Sequence, residues 1–134
     1  TIEIWYYYVS GLIATNQYYP KEQLLLLDGI PRTECQVNIL KKHVDVKKII
    51  VLDIKNPELL FKRLEKRALV ERRQDDLDPQ VFKKRMQIYQ EETSRVLSLY
   101  PKEDIVRFDA ELKPLEVLRD VLMKLSSILV GKSE

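Results

Sequence analysis

The feature that most constrains this chain is a short apolar run leading into an acidic residue, a pattern that recurs along the sequence. QLLLLDG carries Leu24 to Leu27 into Asp28-Gly29, KKIIVLDI runs from Lys47 to Ile54, and DIVRFDA is a third strand candidate. Continuous apolar runs of this length, bounded by turn residues, suit buried strands of a parallel sheet, covered on both faces. Such strands need helices around them.

The intervening sequence has helical spacing. Ile2, Tyr6, Val9, Leu12 and Ile13 predict a helix over 1–17, and PRTECQVNILKK predicts one of about three turns. Asn56-Pro57-Glu58 joins a capping side chain, a proline suited to the first helical position and an early acid, so a helix is expected from there to about Ala68. Asp78-Pro79 repeats that punctuation ahead of the longest helix, with Val81, Met86, Tyr89, Val96 and Leu97 as its apolar positions before Pro101 stops it. Pro114 opens a last helix with Leu115, Leu118, Leu122, Leu125 and Ile128 on one face. The alternation implies an α/β chain with a parallel sheet sandwiched by helices, where ligands sit at the C-terminal ends of the strands.

Composition narrows the partners. The charges nearly cancel, 23 Lys and Arg against 21 Asp and Glu, so the overall field gives no reason to expect a long nucleic acid or an anionic membrane. No aromatic stacking platform interleaves with the basic cluster, which leaves RNA binding weakly supported. One cysteine, Cys35, and one histidine, His43, exclude a disulfide framework and a Cys-rich zinc site, and suit a reducing cytoplasm. Cys35 reads as a small packing residue, and His43 as structural or exposed. No apolar stretch reaches the roughly 20 residues that span a bilayer.

Two clusters could carry chemistry. In Asp28-Gly29-Ile30-Pro31-Arg32-Thr33 the aspartate at a strand end can hold magnesium through water, and Arg32 offers a planar fork of donors for phosphate oxygens. A plain strand-to-helix turn with a surface arginine fits the same spacing. Lys62, Arg63, Lys66, Arg67, Arg72 and Arg73 precede Asp75 and Asp76, with Arg63 and Arg67 four apart on one helical face. Taken alone, that run is better accounted for as a solvated face in which Arg63 and Arg67 pair with acids such as Glu58. The six-residue link from Ala68 to Arg73 could move as a flap, and Arg67, Arg73 and Arg85 would converge if the helices beside it are antiparallel neighbours.

LLLLDGIPRT followed by Gln36, then KRLEKRA, ERRQDD, the KKR of the long helix and IVRFDA, resembles the adenylate kinases and related nucleoside monophosphate kinases, in the family's order from about residue 1 to 130. That resemblance implies a three-layer α/β/α fold of the P-loop NTPase kind. It implies reversible phosphoryl transfer from ATP to AMP giving two ADP, with magnesium and without zinc, in a cytoplasmic monomer that binds neither nucleic acid nor membrane. Arg32 resembles the arginine that grips the AMP phosphate, beside Gly29, and Gln36 the side chain that hydrogen-bonds the AMP base. Asp28 resembles the carboxylate behind the magnesium shell. Arg63 resembles the arginine packed over the ATP adenine, and Arg67 the one on the ATP phosphates. Arg73 and Arg85 resemble the pair that closes over the transferring group and contacts AMP. Glu71-Arg72-Arg73-Gln74-Asp75-Asp76 has arginine where family members often have glycine. The resemblance divides the chain into the remainder of the AMP-binding helices (1–20), core (21–67), a short lid (68–76) and core again (77–134).

The family's glycine-rich loop followed by lysine, whose backbone N–H groups cradle ATP phosphates, has no counterpart here. Gly131-Lys132 is the only Gly-Lys pair, and no glycine-rich loop precedes it. The family's sheet is centred on the strand before that loop, so the three strand candidates are not expected to form one continuous sheet. The chain is expected to be part of a longer protein, and inactive and unstable alone. A noncatalytic nucleotide-binding or interaction module that retains the AMP half, or a kinase for another nucleoside monophosphate, are the alternatives.

Overall fold

The computed structural model describes residues 1–71 and 78–129. Its elements follow the expected alternation, with one exception. Helices α1 (Ile2–Ala14) and α2 (Glu34–Leu40) precede strand β1 (Ile49–Asp53). Helices α3 (Pro57–Glu71) and α4 (Pro79–Ser98) follow, then a 3-10 turn (Lys102–Asp104), strand β2 (Ile105–Asp109), and helices α5 (Pro114–Lys124) and α6 (Ser126–Leu129). The two strands run parallel in register from Ile49 opposite Ile105 to Asp53 opposite Asp109. This mixed α/β arrangement, a two-stranded parallel sheet with six α-helices among the described residues, is consistent with a P-loop-like α/β/α fold.

The exception is the leucine run. Leu24 to Leu27 has no regular secondary structure and no strand pairing, and Leu24, Leu25 and Leu26 are 50%, 36% and 82% exposed. The expected buried strand is therefore corrected. A parallel strand gains its hydrogen bonds only from a neighbour, and β1 pairs with β2 alone among the described residues. Apolar content specifies what a strand wants to bury, and it supplies no partner. The expectation that the three runs would not form one sheet is met.

Helix boundaries follow capping chemistry. The Thr33 hydroxyl accepts from Gln36 N–H, so α2 begins at Glu34, later than the expected Pro31. Asn56 Oδ1 accepts from Glu58 N–H at 3.0 Å and Asp78 Oδ1 from Gln80 N–H at 2.9 Å, which starts α3 and α4 where the Asn-Pro and Asp-Pro pairs predict. Helix α3 continues past Ala68 to Glu71, so residues 68–71 are helical and do not form a link. Helix α5 stops at Lys124, and α6 is a separate short turn.

Packing is thin. Among the described residues the buried apolar ones are Ile2, Val9, Val37, Leu40, Ala68, Phe108, Ala110 and Leu125. Edge-to-face contact of Phe61 with Phe82, centroids 5.1 Å apart, joins α3 to α4. Tyr6 of α1 lies 4.2 Å from the His43 ring, consistent with the structural or exposed reading of that histidine. Cys35 is exposed, which corrects its reading as a packing residue, because α2 buries Val37 and Leu40 and turns Cys35 outward. The face of α5 is also largely open, with Leu115, Leu118 and Leu122 at 76%, 52% and 48%. Other large apolar side chains, Ile4, Tyr7, Leu69 and Met123 among them, are more than 70% exposed, so much apolar surface stays in contact with water. No helix among the described residues is long and apolar enough to cross a membrane.

Candidate functional site

Two turns bear the candidate residues. The first follows the leucine run. Gly29 has φ near +90°, a backbone region costly for any residue with a Cβ, so glycine is required there by conformation. The chain then bends back on itself. Arg32 Nε–H donates to the Gly29 carbonyl at 2.9 Å, and Arg32 backbone N–H donates to Gln36 Oε1 at 2.7 Å. Thr33 closes the same turn by accepting from Gln36 N–H at 3.2 Å. One nitrogen of the Arg32 guanidinium is thus fixed, while its two terminal nitrogens have no partner among the described residues and stay exposed. A fork anchored at its stem and open at its tip is suited to oxyanions. Asp28, exposed beside it, likewise has no partner among the described residues.

The second turn lies at the C-terminal ends of β1 and β2. Ala110 N–H donates to Asp53 O at 2.9 Å and extends the ladder by one bond. Asp109 Oδ1 then accepts from Glu111 N–H at 2.9 Å, an aspartate bonding two residues ahead to turn the chain. Arg63 reaches this turn from α3 and donates to the carbonyls of Ala110, Glu111 and Leu112, the last two at 2.9 and 3.4 Å. Glu111 reaches back, accepting Asn56 N–H at 2.8 Å through Oε1. The turn and the head of α3 are therefore tied at two points.

Of the expected site residues, the structure brings Asp28, Gly29, Arg32 and Gln36 into one turn and sets Arg63 on another. Arg67 lies one helical turn beyond Arg63, and its Nε–H donates to Glu71 Oε2 at 3.3 Å in an exposed pair. Arg85 is exposed on α4. Arg73, like Arg72, Asp75 and Asp76, lies outside the described residues. Gln36 has its side-chain oxygen committed to Arg32, which leaves its amide N–H groups as donors. Among the described residues no group of three or more His, Cys, Asp or Glu side chains gathers as a metal site.

Sequence reasoning read Asn56 as a cap and missed Glu111 altogether. The Asn-Pro signal was local, whereas the bond from Asn56 to Glu111 spans 55 positions and has no local pattern. A cavity of about 560 Å³ lies at the opposite, N-terminal end of the strands, lined partly by Lys48, Lys102, Arg107 and Lys124. Two of those cations are already engaged, Lys48 with the Glu103 carbonyl and Arg107 with Asp53, and the cavity lies away from both turns.

Comparison with known proteins finds curated relatives named adenylate kinase. One from Xanthomonas campestris pv. campestris (strain B100) is 32% identical over 102 residues, covering 72% of this chain and 54% of the relative. One from Xanthomonas euvesicatoria pv. vesicatoria (strain 85-10) is 31% identical over 109 residues, 78% of this chain and 56% of the relative. One from Prochlorococcus marinus (strain NATL2A) is 37% identical over 86 residues, 60% and 44% respectively. The chain spans about half the length of the curated relatives it matches. No family model matches it, and no solved structure matches it significantly.

Proposed function

Starting from a chain that belongs to the adenylate kinase family, we propose that it forms the AMP-facing and adenine-facing parts of a phosphotransferase that moves the γ-phosphoryl group of ATP to AMP, giving two ADP. The observation that carries the reading is the Arg32 fork, anchored on the Gly29 carbonyl and open at its terminal nitrogens. Those nitrogens would take the AMP phosphate. The acceptor is a phosphate oxygen already anionic at neutral pH, so the transfer needs no general base and rests on positioning and positive charge. The new P–O bond forms to that oxygen as the bond to the bridging oxygen breaks, its electrons remaining on the departing ADP.

The remaining roles follow the same reading. Gln36, with its amide N–H groups open, would donate to a ring acceptor of the AMP base. Arg63 would lie over the adenine of ATP and Arg67 along its phosphates, with Arg73 and Arg85 closing on the group in transit and touching AMP. Magnesium bound with ATP would supply charge neutralisation on the phosphate oxygens. Asp28 fits that ion through water, because magnesium keeps most of its waters and takes one or two carboxylates, and the Asp28 carboxylate is exposed with no partner among the described residues. The cradle for the ATP β- and γ-phosphates is not in these 134 residues, and the proposal assigns it to residues beyond them. A cytoplasmic, monomeric enzyme acting on free nucleotides is the setting this reading expects.

The test is Arg32→Ala in the full-length protein, assayed for ADP formation. Turnover should fall by about 100-fold or more, the scale of a lost charge-stabilising donor, with the melting temperature moved by less than about 2 °C. Wild-type turnover in that variant rejects the role of Arg32. A second reading, a noncatalytic nucleotide-binding module, needs no more than the open Arg32 fork and the Gln36 amide donors. It predicts calorimetric binding of AMP by the full-length protein with no ADP formed from ATP and AMP.

A further inference from the structure

The Arg63 guanidinium is held in an unusual way for a side chain expected to meet a ligand. Its NH1 and NH2 groups donate to three successive backbone carbonyls, those of Ala110, Glu111 and Leu112. These donors lie in the guanidinium plane, so the bonds fix the orientation of the plane while consuming only its edge. Arg63 as a whole is exposed, and none of these in-plane bonds uses a face of the guanidinium, against which an aromatic base stacks with both dispersion and cation–π attraction. What fixes the platform is therefore the 110–112 turn, and what fixes the turn must be sought on its other side.

That other side is Glu111. Its backbone N–H is taken by Asp109 and its backbone carbonyl by Arg63, while its carboxylate accepts the Asn56 backbone N–H at the head of α3. Asn56 in turn caps α3 through Glu58 N–H, and Arg63 projects from the same helix two turns on. The result is a closed loop of bonds from helix head to turn to helix flank.

We infer that Glu111 is a positioning residue for the phosphoryl donor: its carboxylate ties the 110–112 turn to the head of α3 and so holds the Arg63 guanidinium as a flat platform for the purine of ATP. The inference rests on the adenylate kinase reading for the identity of the ligand. It goes beyond that reading by giving a role to Glu111 and by making the Arg63 platform depend on it. Glu111 touches neither nucleotide. Its effect is confined to the donor, because the AMP-side turn at 28–36 is closed by its own hydrogen bonds and shares none with the 110–112 turn.

The experiment compares wild type, Glu111→Ala, Glu111→Gln and Arg63→Lys in the full-length protein, reading KM for ATP and for AMP separately, together with calorimetric ATP affinity and a melt. Glu111→Ala should raise KM for ATP, and weaken ATP binding, by about tenfold, the effect of one lost hydrogen bond to a charged group, with KM for AMP within about twofold. Glu111→Gln keeps an accepting oxygen and should return the ATP constants to within about twofold of wild type. Arg63→Lys, which loses the planar fork, should reproduce the ATP-specific loss. Adding Glu111→Ala to it should cost less than the two single effects combined, since both act through one platform.

An unchanged KM for ATP in Glu111→Ala overturns the inference, as does an equal rise for both nucleotides or a loss matched by a lowered melt that Glu111→Gln fails to repair. Wild type that binds ATP without phosphorylating AMP overturns the proposed reaction and leaves Glu111 to be judged on ATP affinity. Wild type that binds no ATP overturns both.

Discussion

The Leu24–Leu27 run and the Ile105–Asp109 strand are alike in kind, each an apolar stretch entering an aspartate and a turn on which an arginine rests. They differ in what surrounds them. Strand β2 has β1 at its side over five registered pairs, and Phe108 is buried to 8% exposure. The leucine run has no ladder partner among the described residues, and Leu26 keeps 82% of its surface in water. The turns that follow differ in the same sense. The 28–36 turn is held by bonds spanning three or four positions, the 109–112 turn mainly by bonds spanning 47 to 55. Local hydrogen bonds can build an arginine site without a sheet beneath it. Strand structure cannot be built that way, because it belongs to a pair.

The largest expected effect breaks or upholds this contrast directly. In the full-length protein, Phe108→Ala should destabilise by about 3 kcal/mol or more, read from denaturant melts. Leu26→Ala in the same protein should stay within about 0.5 kcal/mol if the leucine run has no strand partner there, and its cost should climb towards that of Phe108 if residues outside these 134 pair with it.

The pattern of success in reading the sequence follows the same physics. Asn56-Pro57 and Asp78-Pro79 announced helix starts because a cap is a bond within two or three residues. The β1 and β2 runs were legible because their apolar content found mutual partners. Leu24–Leu27 carried an equally strong signal and failed, since nothing in a local stretch of sequence states whether a neighbour is at hand. The α5 stripe shows the same limit: Pro114 does open the helix, but Leu115, Leu118 and Leu122 stay exposed, because a stripe says only which side would be buried if something covered it. Arg32 was identifiable from its motif, and the anchoring of its Nε on Gly29 adds how the fork is held. Glu111 was invisible because its partner is 55 positions away.

An intermediate effect tests whether the 28–36 turn stands on local bonds alone. Gly29→Ala should cost about 1–2 kcal/mol through its positive φ, since the added Cβ would lie 3.6 Å from the Arg32 guanidinium and meet only ordinary contact. Thr33→Ala should cost about 1 kcal/mol by removing the cap. Neither should change the cost of Phe108→Ala, measured in double variants. Additivity within about 0.5 kcal/mol supports independent regions, and strong coupling would show that the two turns are energetically one.

The smallest effect concerns the joint between the regions. Lys41, at the end of α2, donates to the Leu99 carbonyl at 2.9 Å and lies 5.1 Å from the centre of the Tyr100 ring, tying the first region to the end of α4. The Tyr100 hydroxyl is buried with no partner among the described residues, and burial pushes its phenol above the ordinary value of 10.0. If the joint works through the ring, Tyr100→Phe keeps the cation contact and removes only the unpartnered hydroxyl, so stability should be unchanged or higher by up to about 1 kcal/mol. The pH dependence gives a second reading. A phenol raised in the folded state holds its proton while the unfolded chain has lost it, so its contribution is intact below the unfolded value near 10 and declines as pH rises through the folded one. Melts between about pH 9 and 11 should therefore fall more steeply for wild type than for Tyr100→Phe. A clear loss of stability in Tyr100→Phe at neutral pH would place the joint in the hydroxyl and take the cation–ring contact out of the account, whereas equal slopes would mean that burial does not raise the phenol.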